Sequence, residues 1–382
     1  MCKNSKPFHL LVCFTYGVSL KIWDKTGLIG RETLLYEKMV AQGNTVTFLT
    51  FGGKEDERYI AKLPGINIVP VYCYVKKSKN KWINFLNSFL IPLRFHQFFK
   101  DANVIKTNQM YGAWVPIFAS ILFKKKLIVR CGYEMLRNLL RDEPARIMWW
   151  FKGTLGYLLE LLAYMSAYKI VITNRADMKF ITACFPVNYK KINIIRNFID
   201  TDNFAPKRSL IKNNRQILFI GRLDQRKNIA NLIKAVANSG NCLDIIGEGN
   251  QKDFLKKITE DMNAKVNFLG VFDNSQLPEI INNYRFFILS SLYENNPKTL
   301  LEAMSCARVV IGTKVDGIRE LIDDGITGFL CDTNVASIQA VIEKVTTMDS
   351  EKLNFIADNS RQFVISECSM KKIYSQETGI YE

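Results

Sequence analysis

The stretch Ser290–Leu330, SSLYENNPKTLLEAMSCARVVIGTKVDGIRELIDDGITGFL, constrains the fold of this chain most tightly. With the apolar run Phe286–Leu289 before it and Val309–Ile311 within it, the segment reads as strand, loop, helix, strand. That is the unit of a parallel α/β sheet. Pro297 suits the first helical position and Asn295 or Asn296 a cap. Leu300, Leu301, Ala303 and Met304 supply the apolar face. Glu294 falls in the loop after the strand, and Glu302 lies just past the first helical turn. In doubly wound sheets the ligand crevice lies outside the carboxyl ends of the strands. The N–H groups of Lys298, Thr299 and Leu300 would point there too and suit a phosphate.

The same alternation runs through the chain. Phe8–Phe14 reads as a strand, Thr15–Gly30 as a loop with Gly17, Gly27 and Gly30, Arg31–Ala41 as a helix and Thr45–Phe51 as a strand. This is a Rossmann-like β-loop-α-β unit, although GxGxxG is absent and the glycine loop fits a plain tight turn as well as a ligand loop. Strands are expected at Ile66–Tyr74, Val104–Lys106, Leu127–Arg130, Lys169–Thr173 and Ile192–Ile195. Helices are expected at Gly112–Phe123 and Arg175–Cys184, and one or two within Ala145–Tyr168. Arg130, Cys131, Gly132, Tyr133 and Glu134 end a strand and would face the crevice. Ala205–Arg215 is polar, basic and without periodicity, and reads as an interdomain linker. A second Rossmann-like unit starts at Gln216–Gly221.

A chain of 382 residues exceeds what one core usually fills. The expected organisation is a domain over 1–205, a second over 214–360, and a segment, 361–382, that can cross back to the first. Nine cysteines without CxxC are free thiols of a reducing compartment rather than a zinc site. Two histidines exclude metal sites or triads that need several. Asp200-Thr-Asp202 matches a DxD metal pattern but has no further ligands around it, so no metal is expected. No signal peptide and no spanning helix are expected.

The net charge is +16. Residues 1–195 hold 29 basic and 12 acidic side chains, while the remaining 23 basic and 24 acidic side chains nearly cancel. A basic half suggests nucleic acid, an anionic membrane surface or an acidic soluble substrate. Lys76, Lys77, Lys79 and Lys81 precede an aromatic, apolar segment broken by Pro92. It reads as a surface helix on anionic lipid, or as a packed helix behind a solvated lysine loop. Stacking on single-stranded nucleic acid is a third option, but the spacing is helical and no nucleic-acid motif occurs.

In the second half, Arg222-Leu-Asp-Gln-Arg-Lys-Asn228 follows a strand ending in Gly221 and precedes the helix Ile229–Ala237. Arg222 and Lys227 lie five apart across that turn and can converge on one anion. Two cation–phosphate pairs, each worth about 4 kcal/mol before desolvation, could replace a metal ion.

Gly221-Arg-Leu-x-x-x-Lys227, Ile246-Gly-Glu-Gly249, Gly270, Glu294-x7-Glu302, Asp316-Gly-Ile-x-Glu-Leu-Ile322 and Gly325-x-x-Gly-Phe-Leu330 together resemble retaining glycosyltransferase family four. In the first half the resemblance rests on Asn197-x-Ile-Asp200 with Phe204 and on Gly27–Glu32. It implies a GT-B fold, α/β, with two Rossmann-like doubly wound domains facing a central cleft. It implies that Arg222 and Lys227 neutralise the donor diphosphate, that Glu302 accepts the ribose hydroxyls, and that Glu294 contacts the sugar at the reacting centre. Backbone N–H groups at Lys298, Thr299 and Leu300, with Gly27 and Gly270, would complete the donor site. The implied donor is a UDP or GDP sugar, with no other cofactor and no metal. The expected acceptor is a lipid-linked or cell-surface glycan. The expected place is cytoplasmic, peripheral on the inner face of the membrane, with no nucleic-acid partner. A nucleotide-sugar epimerase, a phosphorylase or a non-catalytic partner subunit are the competing readings. The family often has a His facing the reaction centre where Arg130-Cys131-Gly132 stands here. Asn228 replaces a common Gly, and Ala307-Arg308 replaces a common Gly-Pro.

Overall fold

The computed structural model describes residues 6–132, 136–137, 139, 147–207 and 213–381. Tyr133 and Glu134, residues 208–212 of the expected linker and the start of the expected 145–168 helix lie outside the described residues. The chain divides into two compact units, Met1–Ile195 with Tyr374–Glu382, and Arg196–Ile373.

The first unit is built on β1 (His9–Cys13), β2 (Thr45–Thr50), β3 (Ile66–Pro70), β4 (Val104–Thr107), β5 (Lys126–Cys131), β6 (Lys169–Ile172) and β7 (Ile192–Ile194). They form one parallel sheet in the order β3-β2-β1-β4-β5-β6-β7. Alternate residues feed two cores. Leu11, Cys13, Ile105, Val129 and Ile172 pack with the helices Trp114–Phe123 and Ile147–Ser166. On the other face Phe14 packs at a tilt against Trp23 and Phe48, and Tyr36 meets Phe48 edge-on.

The second unit holds β8 (Asn213–Ile220), β9 (Cys242–Ile246), β10 (Val266–Gly270), β11 (Tyr284–Leu289), β12 (Val309–Thr313) and β13 (Phe329–Cys331). Their order is β10-β9-β8-β11-β12-β13, all parallel. Both units are therefore doubly wound. Each order reverses once, between β1 and β4 and between β8 and β11.

Several expectations need correction. Thr15–Gly30 is not all loop. Leu20–Lys25 is a helix, capped by the Ser19 side chain on the Ile22 N–H and anchored by buried Leu20 and Trp23. The next helix starts at Ile29, after Gly27 turns the chain at φ 65°. The strand expected at Ile66–Tyr74 stops at Pro70, and Val71–Tyr74 is a helical turn. The division between units falls at Ile195, ahead of the expected linker. Residues just after it are held by the second unit: the Phe204 carbonyl accepts from Ser305 Oγ and Arg361, and the Ala205 carbonyl from Asn282.

The last residues close the first unit through a buried ion cluster. Lys106 on β4 donates to Glu377 Oε2 at 2.6 Å and to the Tyr381 hydroxyl at 3.0 Å, and Arg130 on β5 reaches Glu377 Oε1 at 2.9 Å. Both Lys106 and Glu377 have fully buried side chains. Burial pushes the Lys106 ammonium down to about 8 despite Glu377 beside it. Burial acts to raise the Glu377 carboxyl pKa, but Lys106 and Arg130 reverse that and hold it below the ordinary range. Removing one member of such a cluster strands the others without compensation.

Glu377→Gln should cost about 3–5 kcal/mol of unfolding stability at neutral pH. A carboxyl held below its unfolded value contributes stability above that value and loses it as pH falls through the folded one. The gap between wild type and variant should therefore shrink in acid. Calorimetric unfolding at several pH values checks this, and a gap that stays constant into acid would contradict it.

Candidate functional site

The reversal between β8 and β11 places two loops side by side at the carboxyl ends of the second sheet, where open α/β sheets bind ligands. After β8 the chain turns through Gly221–Asp224 into a 3-10 turn, Gln225–Lys227. Asn228 then takes the left-handed conformation at φ 55°. Asn is the residue besides Gly that tolerates this conformation best, so the replacement of Gly keeps the turn. Its Nδ2 also donates to the Thr333 carbonyl at 2.8 Å.

This turn sets Lys227 against Glu294 from the loop after β11, and the two form an ion pair. Ser291 Oγ donates to the same Glu294 oxygen at 2.7 Å. Ser290 Oγ binds the Lys227 carbonyl at 2.8 Å, and the Leu292 N–H binds the Arg226 carbonyl at 2.7 Å. Thr313, at the end of β12, donates through Oγ1 to the Ser291 carbonyl at 2.5 Å. The Gly317 N–H binds the Glu294 carbonyl at 3.1 Å. A Cβ on Gly317 would sit 2.2 Å from the Asn295 carbonyl oxygen, so the Asp316-Gly317 turn fits here only as glycine.

The Ile246-Gly-Glu-Gly249 turn has the same role beneath Lys227. The Gly221 N–H binds the Ile246 carbonyl, and the Leu223 N–H binds the Glu248 carbonyl, each at 3.0 Å. A Cβ on Gly247 would fall 1.9 Å from the Gly221 carbonyl oxygen. Gly270 ends β10 at φ 81°, and its carbonyl accepts from the Gly247 N–H at 2.7 Å. These glycines let three strand ends pack backbone on backbone.

Glu302 is buried in the helix Lys298–Ser305, where Asn274 Nδ2 reaches its Oε1 at 3.3 Å. Pro297 is the N-cap rather than the first helical residue, and no side chain caps this helix. Asn296 binds Asn197 instead: its Oδ1 accepts the Asn197 N–H at 2.8 Å and its carbonyl the Asn197 Nδ2 at 2.7 Å. That explains Asn197 in the motif Asn197-x-Ile-Asp200. The Lys298 ammonium lies 5.3 Å from the Phe198 ring centroid, and Thr299 is half-buried.

Arg222 is exposed, and only Lys227 of the expected cation pair is set against Glu294. Arg226 went unnoticed in the sequence. It pairs with Asp224 at 2.8 Å and lies 5.9 Å from the Tyr293 ring centroid. The available signal was its position beside Lys227 in a turn with three cations. Asp200 Oδ1 accepts from the Asp202 and Asn203 N–H groups at 3.3 and 3.2 Å, so this carboxylate closes its own turn. No group of acidic, Cys or His side chains suited to a metal occurs among the described residues.

In the first unit, Gly27 lies in the turn between the helices Leu20–Lys25 and Ile29–Ala41. Arg130 is paired with Glu377, and Cys131 is buried. At the β1/β4 reversal stands an aromatic group. The Tyr16 ring contacts Phe51, Phe85, Tyr111 and Trp114 at centroid distances of 5.0 to 6.3 Å. Burial pushes the Tyr16 hydroxyl up to about 12.

Residues 200–363 match the family model for glycosyl transferases group 1. Over that segment the chain is similar to the group 1 glycosyltransferases. The motifs Gly221–Lys227, Glu294–Glu302 and Asp316–Ile322 all fall inside it. An uncharacterized glycosyltransferase of Methanocaldococcus jannaschii is 24% identical over 371 residues, covering 91% of this chain and 90% of that protein. A Campylobacter jejuni N-acetylgalactosamine-N,N'-diacetylbacillosaminyl-diphospho-undecaprenol 4-alpha-N-acetylgalactosaminyltransferase is 31% identical over 191 residues, 48% of this chain and 52% of that protein. Anabaena HepE, solved with UDP and glucose, superposes with a TM-score of 0.76 at 16% identity, over 97% of this chain and 98% of that one. This likeness extends to both units and shows the GT-B fold.

Two glycines separate backbone strain from collision. Gly240 has φ 67° with open space around it, whereas Gly247 meets backbone. Gly240→Ala should cost about 1–2 kcal/mol, the ordinary left-handed penalty. Gly247→Ala should cost more, because its Cβ meets the Gly221 carbonyl oxygen and the Lys227 turn must shift. Equal losses in thermal unfolding would count against this packing.

Proposed function

We propose that this protein transfers a hexose-type sugar, with retention, from a UDP or GDP sugar to a lipid-linked or cell-surface glycan. The reading rests on the Lys227–Glu294 pair at the β8/β11 reversal, within the segment similar to the group 1 glycosyltransferases. A sugar leaving a diphosphate develops negative charge on the leaving oxygen, and a preorganised cation stabilises that charge most in the transition state. Lys227 has this role, with Arg222 and Arg226 on the same turn as further cations. The N–H groups of the helix starting at Lys298 favour phosphate. Glu302 accepts the ribose hydroxyls.

Glu294 orients the sugar through its hydroxyls and holds Lys227; it is not the nucleophile. The anomeric carbon–oxygen bond to the diphosphate breaks, and the acceptor oxygen bonds that carbon on the same face. The acceptor's proton passes to the departing diphosphate. Positive side chains carry the charge, so no divalent metal takes part. The name of the Campylobacter relative describes a diphospho-undecaprenol acceptor, which supports a lipid-linked acceptor here. The HepE complex supports a UDP sugar as donor. The acceptor belongs to the first unit, whose excess positive charge suits work at the inner face of a membrane as a peripheral protein. No helix among the described residues is long and apolar enough to cross one.

Lys227→Ala should weaken UDP or GDP binding by about tenfold to a hundredfold in titration calorimetry, because it removes one phosphate partner and strands Glu294. Glu302→Ala should weaken the same binding. Unchanged affinity in both variants would remove the donor-site assignment. Chelation with EDTA should leave transfer from the sugar donor intact. An absolute requirement for manganese or magnesium would instead restore Asp200 and Asp202 as ligands.

A further inference from the structure

The first unit turns apolar side chains outward on three helical segments. Trp82, Leu86, Phe89 and Leu93 recur four, three and four residues apart, the spacing that ordinarily faces a core. Here Trp82 is 75% exposed, Leu86 64% and Leu93 49%. The helix Trp114–Phe123 exposes Phe118, Ile121 and Leu122, and the helix Ile147–Ser166 exposes Leu155, Leu158, Leu162 and Met165. Trp114–Phe123 lies between the others, packing on Ile91–Arg94 on one side and on Ile147–Ser166 on the other. The Phe89 ring stacks on Trp114 at 6.1 Å. The helical segments that carry the three stripes therefore adjoin.

At the far end of two of these stripes lies a pocket of about 620 Å³ lined by Lys124, Lys125, Lys126, Lys169, Lys190 and Lys191, with Met165 and Tyr168. No acidic side chain lines it. Lys125, Lys169 and Lys191 donate to the backbone carbonyls of Lys100, Lys190 and Met165 rather than to carboxylates. Lys124 caps the helix Trp114–Phe123, while Lys126 and Lys169 open β5 and β6. The pocket is thus at the amino ends of the strands, away from the ends where ligands bind. Lys76, Lys77, Lys79 and Lys81, all exposed, flank the stripe beginning at Trp82.

Lysines bordering an exposed apolar helical face are the composition of a segment that lies in a membrane interface. Tryptophan at its edge fits the headgroup level. Lys126 also donates to the Tyr381 carbonyl, and a lining with six lysines and no carboxylate carries a positive potential that favours an anion.

We infer that this three-helix face docks on an anionic lipid bilayer, with the six-lysine pocket holding headgroup phosphates and the apolar stripes entering the interface. The inference deepens the membrane part of the reading above and specifies its surface. Lysines 76–81 contribute attraction at one end; the pocket and stripes supply the seat.

The test is co-sedimentation of the full chain with vesicles of phosphatidylcholine alone and of phosphatidylcholine mixed with phosphatidylglycerol. Binding should require the anionic lipid. Lys124→Gln, Lys190→Gln and Lys191→Gln together should weaken it about tenfold or more, since each basic residue at the surface contributes. A matched triple, Lys234→Gln, Lys256→Gln and Lys257→Gln, on exposed helix positions of the second unit should change it little. Leu86→Ser, Leu93→Ser and Ile121→Ser together should abolish it without loss of thermal stability, because these side chains are already exposed. Equal loss from the two lysine triples would reduce the effect to diffuse charge attraction and overturn the proposal. So would full binding by the apolar variant. If the pocket lysines only offset helix C-terminal dipoles, their removal would lower thermal stability and leave vesicle binding unchanged, which also overturns it. UDP titration of the same variants should match wild type, so failure here is distinct from failure of the donor site.

Discussion

The ion pair between Lys227 and Glu294 links loops that are 67 residues apart in sequence, and the rest of the candidate site depends on it. Neither side chain is sealed from water: Lys227 is 20% exposed and Glu294 13%. A pair in that setting costs less desolvation than a sealed one and remains open to a third charge. Ser291 shares the carboxylate, and Ser290, Leu292 and Gly317 fix the backbone on either side. The lysine is thus held in place by the fold itself, and the carboxylate balances its charge. Preorganisation of this kind matters because the cation need not move when charge develops on the leaving group.

Much of this was legible from the chain because parallel sheets write themselves plainly. A strand buried on both faces reads as a continuous apolar run, and its loops carry the chemistry. Phe286–Leu289 and Val309–Ile311 appear as the strands β11 and β12, and Lys227, Glu294 and Gly270 stand at strand ends in the second unit. The meaning of Gly247 and Gly249 was not legible. Their need is set by the carbonyls of Gly221 and Leu223, contacts that no local pattern encodes. Ala307 shows the limit from the other side: it holds φ 52° where Gly would fit without strain, and nearby Arg308 is buried against the carbonyls of Cys306 and Tyr284.

Other misreadings share a cause. Leu20–Lys25 is too short for periodicity to reveal, and its decisive feature is a side-chain cap. Lys252–Asp261 buries little apart from Leu255, so its apolar signal is thin and no helix was expected there. Arg130 was expected to face a crevice because it ends a strand. It is paired with Glu377, 247 residues later, which sequence spacing cannot anticipate. The expected linker lies in the second unit because Phe204 and Ala205 find hydrogen-bond partners there.

Charge and shape divide the labour within the chain. The second unit has nearly balanced charge, and three of its cations, Arg222, Arg226 and Lys227, share the one turn after β8. The first unit carries the excess, yet one of its lysines, Lys106, is buried with Glu377 and adds nothing to the outer field. What remains outside is uneven: lysines gather at the head of the Trp82 stripe and at the foot of the two neighbouring helices. A basic surface meant only for solubility would be spread and polar. One that alternates with exposed leucine, isoleucine and tryptophan gives up solubility, and such a face is favourable only where water is displaced on contact.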